Sequence, residues 1–133
     1  PQVAQDMYYS LLSLGIHHEY VPTLDLLGYD LLPQHWETCR AFLQDVFEEY
    51  NSNNYNKNTH EEQHPSKVLI HCEAGINRSG TVTAAAMMYF ASVPLLEAVR
   101  QLKRQRGIVM TNVSFQKQLI VFAATLRRKG CLA

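Results

Sequence analysis

Cys72 and Arg78 stand with five residues between them in the run His71-Cys72-Glu73-Ala74-Gly75-Ile76-Asn77-Arg78-Ser79. Such a run can close around a tetrahedral dianion. The chemistry it offers is attack by sulfur on phosphorus. Only a thiolate attacks well, and an ordinary cysteine, with a pKa of about 8.5, is mostly protonated at neutral pH. In a turn entering a helix, successive backbone N–H groups converge, and the helix aims its positive end at the same point. Both favour the thiolate of Cys72. The amides of Glu73, Ala74, Gly75, Ile76 and Asn77 would then bind the non-bridging phosphate oxygens. Arg78 adds two parallel hydrogen bonds, which lysine cannot make. Gly75 permits a turn that a side chain would obstruct. Ser79 is placed to hydrogen-bond the sulfur as it leaves. His71 is expected to fix the loop from behind, or to be a satisfied core histidine.

The leaving oxygen needs a proton, and this run holds no acid able to give it. Asp25 and Asp30, in Leu24-Asp25-Leu26-Leu27-Gly28-Tyr29-Asp30, lie in a glycine-bearing loop that could reach in. Asp25 is the preferred general acid. General acid catalysis of this kind contributes roughly 10²–10⁴-fold.

Several elements must hold these groups. Met7 to Leu14 could form a short helix, and Ile16 to Val21 an extended segment, with Pro22 and Gly28 punctuating a loop. Trp36, Phe42, Leu43, Val46, Phe47 and Tyr50 recur at helical spacing, predicting a helix over 34–50 with Pro33 in its first turn. Residues 51–66, rich in asparagine, read as a polar surface insert. Lys67 to His71 reads as a buried strand between Pro65 and the glycine-bearing loop. Helices are expected over 78–91, from Pro94 to Arg106 with Gly107 as the stop, and over 114–129 with Ser114 as cap.

The 133 residues suit one domain, 1–133. Twelve basic residues balance twelve acidic ones, so net charge calls for neither nucleic acid nor membrane. The distribution is uneven. After Lys67 only Glu73 and Glu97 are acidic, while eight cations lie between Arg100 and Lys129. That basic third could steer an anionic substrate or could simply be solvated helix faces. Cys39, Cys72 and Cys131 make an odd count rather than a disulfide framework. Free thiols fit a reducing compartment, the cytoplasm or the nucleus. No apolar run reaches the length of a membrane span. His60-Glu61-Glu62-Gln63-His64 matches the zinc-protease pattern, but Pro65 follows at once and no third ligand suggests itself, so neither metal nor cofactor is expected.

The segment from Val68 to Ser79 resembles the signature of the dual-specificity protein phosphatases, within the cysteine-based protein tyrosine phosphatase superfamily. Glu97-Ala98, Arg106 and Asn112-Val113-Ser114-Phe115-Gln116-Lys117-Gln118-Leu119 resemble that family's downstream pattern. Gly15-Ile16, Asp25 and Asp30-Leu31 resemble its strand and general-acid loop. The resemblance covers about 15–122 apart from the polar insert. It implies an α/β domain of three layers, a central and mostly parallel sheet flanked by helices. It also implies metal-independent hydrolysis of phosphotyrosine and phosphoserine/phosphothreonine in protein substrates, and a supporting role behind the phosphate loop for Asn112. Family members commonly have more strands before the position of Gly15, so a truncated N-terminal part of the sheet is expected. Thr111 stands where proline often precedes the asparagine. Two other readings stay open: an RNA 5′-triphosphatase-like enzyme, suggested by Asn77-Arg78-Ser79-Gly80, and a phosphoprotein-binding module with weak turnover.

Overall fold

The computed structural model describes residues 2–53 and 67–132. Five helices account for its regular structure: α1 (Gln2–Ser13), α2 (Leu31–Asn53), α3 (Arg78–Ala91), α4 (Leu95–Arg106) and α5 (Val113–Arg128). α3 packs against α2, α4 and α5, and α5 also meets α2 and α4. Among the described residues α1 packs against none of the other four.

Each packed helix carries a stripe. In α3 the buried residues Thr81, Ala84, Ala85 and Met88 follow helical spacing, and in α5 Phe115, Leu119, Ala123 and Leu126 do the same. α4 turns Ala98 inward, flanked by partly buried Leu95, Val99 and Leu102. Alanines at these positions let the helices approach closely, and long side chains fill the remaining space. Trp36 of α2 sits edge-on to Tyr89 of α3 and Phe122 of α5, with ring centroids 5.6 and 5.0 Å away. Such edge-to-face pairs add about 0.5–1.5 kcal/mol beyond the area they bury.

The expected sheet is not there. Among the described residues no strand forms, and the architecture is helical rather than α/β with three layers. Lys67 to His71, expected as a buried strand, is the clearest correction. Its exposure alternates with period two, with 67, 69 and 71 exposed and 68 and 70 half-buried, as on a strand with one face covered. Leu69 is 82% exposed. A strand, however, exists only through a neighbour, and this segment has no backbone partner among the described residues. The segment around Ile16 to Val21 forms no ladder with it. A cleft of ≈ 450 Å³ lies between the two, lined by His17, Tyr20, Ile70 and Cys72 and floored by Leu43 of α2 and Val82 of α3.

Helix ends differ in smaller ways. α1 begins earlier than expected, and α5 is capped by Asn112 rather than Ser114: the Asn112 side chain accepts from the N–H groups of Ser114 and Phe115. α2 runs through 51–53; the rest of the polar insert, with the His-Glu-x-x-His match, lies outside the described residues.

Candidate active site

The loop 72–77 leads directly into the first turn of α3. Two features fix its path. Gly75 has φ +66°, and a side chain there would meet the Arg106 guanidinium, whose Nη2 would lie 2.7 Å from the new Cβ. That guanidinium reaches across from the end of α4 and donates to the Ala74 carbonyl at 3.4 Å. The Ile76 carbonyl accepts from Met110 N–H at 2.9 Å, tying the loop to the connection between α4 and α5.

Within this turn Cys72 is half-buried and Ser79 is buried. Their Sγ and Oγ atoms are 3.3 Å apart. Burial alone would push the Cys72 thiol up. The Ser79 hydroxyl and the backbone N–H groups of Ser79, Gly75 and Ile76 outweigh that penalty and leave the thiol below its ordinary value. The contrast with Cys39 on α2 is direct: burial, and then the charge of Glu19, pushes that thiol up. The two cysteines of one chain are thus shifted in opposite directions, Cys72 toward the thiolate and Cys39 away from it.

Arg78, the first residue of α3, lines the same cleft as Cys72. Its Nη1 donates to the Thr23 carbonyl at 3.0 Å, and its Nη2 lies 3.9 Å from the exposed Glu73 carboxylate. Its Nε is buried without a partner among the described residues. A buried guanidinium N–H left open is costly unless something occupies it. A phosphate oxygen is a chemically matched acceptor.

Of the two candidate acids, Asp25 is the one hydrogen-bonded to the loop. Its Oδ2 accepts from Asn77 Nδ2 and its Oδ1 from Asn112 Nδ2, both at 3.0 Å. Asp30 contributes only its carbonyl, which accepts from Gln34 N–H at the start of α2. Asn112 is 7% exposed and also donates to the Leu26 carbonyl, so it holds the acid loop while capping α5. His71, expected to brace the loop from behind, is exposed and makes no side-chain hydrogen bond to it. Its neighbours in a sheet would have covered it, and none is present among the described residues.

The sequence named Arg106 within the family pattern and Thr111 as a departure from it but gave neither a contact in the site, and it gave the Asn77 side chain none. For Thr111 a signal existed, since it breaks the family pattern; its hydroxyl donates to Asn77 Oδ1 at 3.1 Å. Asn77 was legible only as a loop amide.

A thiolate-prone cysteine, a guanidinium and a carboxylate around one helix N-terminus define the class of cysteine-based phosphatase sites. The family model "Dual specificity phosphatase, catalytic domain" matches residues 34–125. The chain belongs to that family. It is 40% identical over 67 residues to human dual specificity protein phosphatase 4, covering 50% of this chain and 17% of the relative. Identity to rat dual specificity protein phosphatase 5 is 29% over 111 residues, covering 84% of this chain and 25% of the relative. Human dual specificity protein phosphatase 2 is 45% identical over 56 residues, 42% of this chain and 18% of the relative. The chain thus spans a quarter or less of the length of these relatives. No helix among the described residues is long and apolar enough to cross a membrane.

Proposed function

We propose that this chain is a cysteine-dependent protein phosphatase that hydrolyses phosphotyrosine and phosphoserine/phosphothreonine through a phosphocysteine. The observation carrying the reading is the Ser79 hydroxyl 3.3 Å from Cys72 Sγ in the turn that enters α3, where that hydroxyl and the backbone N–H groups of the turn hold the thiol below its ordinary value.

In the first step Cys72 thiolate attacks phosphorus, an S–P bond forms and the ester P–O bond breaks. The loop amides of Glu73 to Asn77 and the Arg78 guanidinium hold the three non-bridging oxygens throughout, so stabilisation grows where charge spreads. Asp25 gives its proton to the departing alkoxide or phenoxide. In the second step water attacks phosphorus, Asp25 takes the water's proton, and the S–P bond breaks. Ser79 then donates to the leaving sulfur. Inorganic phosphate departs, and Cys72 is again a thiolate.

Family membership and the acid held on the phosphate loop both support turnover over mere binding. The test is release of phosphate from an aryl phosphate between pH 5 and 8, with Cys72→Ser as control. Turnover that vanishes in the variant, with phosphopeptide binding retained, is the expected result. Wild-type rates equal to the variant's across that range would make the domain a binding module instead.

A further inference from the structure

Asn77 is the N-cap residue of α3, yet its side chain makes no cap hydrogen bond. Its backbone lies at φ −100°, ψ −63°, not the extended geometry from which an asparagine caps, so the carboxamide is free to bond elsewhere. Its Oδ1 accepts from Asn112 N–H at 3.0 Å and from Thr111 hydroxyl at 3.1 Å. A backbone N–H can only donate, so the atom facing Asn112 N must be the oxygen. The NH₂ group therefore faces Asp25. The same reasoning fixes Asn112, whose Oδ1 accepts from Ser114 and Phe115 N–H. Two donors thus pin the two oxygens of one exposed carboxylate, 52 and 87 positions away in sequence.

The two amides do different jobs. Asn112 is spread over the α5 cap, the Leu26 carbonyl and Asp25. Asn77 spends its only donor contact on Asp25, and it stands next to Arg78 in the turn that would hold phosphate. It therefore registers the acid against the phosphate rather than merely against the fold. Since both amides only donate, the proton Asp25 must carry has to sit on lone pairs that they leave open.

We propose that the Asn77 side chain, held by Thr111 and Asn112, is a positioning residue for Asp25. This rests on the phosphatase reading above. Asn77 sets where the proton is delivered, and turning its carboxamide outward leaves the first N–H groups of α3 to the anion.

A series of aryl phosphates, from phenyl to dinitrophenyl, separates this from a structural role. A good leaving group needs little proton transfer; a poor one needs much. In Asn77→Ala the loss of kcat/KM at phenyl phosphate should exceed that at dinitrophenyl phosphate by about 10-fold or more, part of the full general-acid effect. Plotted against leaving-group pKa, the slope steepens. In an Asp25→Ala background the same substitution should leave the slope unchanged, because the coupling is then already absent. Asn77→Asp is the second variant: it keeps an oxygen for Asn112 and Thr111 but replaces the donor, and should steepen the slope as well. Equal losses across the series, or loss of the helical circular dichroism signal in both variants, would assign Asn77 to structure and overturn the proposal. A wild type without Cys72-dependent turnover would overturn the phosphatase reading itself.

Discussion

The half of the candidate site around Cys72 and the half around Asp25, the proposed nucleophile and the proposed acid, are built by different means. Cys72 to Ser79 rests on α3 and α5, whose inward residues Ala84, Ala85, Met88, Phe115 and Leu119 are each 2% exposed or less. The groups it would offer an anion are largely backbone N–H groups, which the turn itself supplies. The acid half, Thr23 to Gly28, lies in a loop where Leu24, Leu26 and Leu27 are 55%, 57% and 78% exposed. It is held across the site by polar contacts: Thr23 carbonyl to Arg78, Asp25 to Asn77 and Asn112, and Leu26 carbonyl to Asn112. Packing fixes one half, and a few hydrogen bonds fix the other. Chemistry at the acid should therefore be separable from stability, whereas stability should depend on the helices beneath the nucleophile.

The largest test of that separation is Asp25→Ala. Turnover of an aliphatic or phenyl phosphate should fall by about 10²–10⁴-fold. Because Asp25 is exposed, the thermal midpoint should barely move. A variant that loses activity only as it unfolds would show that the acid loop is part of the cooperative core, and the contrast would be gone.

Leu119→Ala probes the other half. Leu119 is 2% exposed on the inner face of α5, and the cavity left should cost about 2–5 kcal/mol, read as a lower urea midpoint. The residual folded fraction should keep its leaving-group dependence, since no proton donor has moved.

What the sequence made legible follows the same division. The Cys72 loop was readable because its chemistry is local: thiol, glycine and guanidinium lie within seven residues. α3 was readable for the same reason, since stripe and helix are one contiguous segment. Lys67 to His71 was misread because strand identity is not local. Its composition and its alternating exposure are those of a strand, but the partner that would complete it must come from elsewhere, and none is present among the described residues. The partnership of Asn77 with Asp25 was equally hidden. An asparagine before a helix is expected to cap it with its oxygen, and only the fold brings the Asn112 N–H and the Thr111 hydroxyl to that oxygen and turns the NH₂ group to a carboxylate from position 25.

Ser79→Ala should have a smaller effect, centred on the Cys72 sulfur. Burial pushes Cys72 up, and Ser79 contributes the first of the hydrogen bonds that bring it down. Alkylation by iodoacetamide, followed residue by residue with mass spectrometry, should inflect below the ordinary thiol range in the wild type. In the variant the inflection should move to higher pH, with Cys72 less reactive at neutral pH. Cys39, held up by burial, should react more slowly than Cys72 throughout. An unmoved inflection would leave the backbone N–H groups alone responsible for the thiolate.

The smallest effect is expected from Leu27→Ala, and it sharpens the comparison because the side chain removed is the same as at Leu119. Leu27 is 78% exposed in the acid loop, so truncation removes little buried area and leaves no cavity. The loop's backbone is held at Leu26, whose carbonyl accepts from Asn112 Nδ2 at 3.2 Å and from Tyr29 N–H at 3.2 Å, and neither bond involves the Leu27 side chain. Stability should stay within about 0.5 kcal/mol of the wild type. The urea midpoint therefore separates two leucine truncations by burial alone. A loss at Leu27 approaching that at Leu119 would mean that this side chain is covered in solution, and that the acid half owes its position to packing after all.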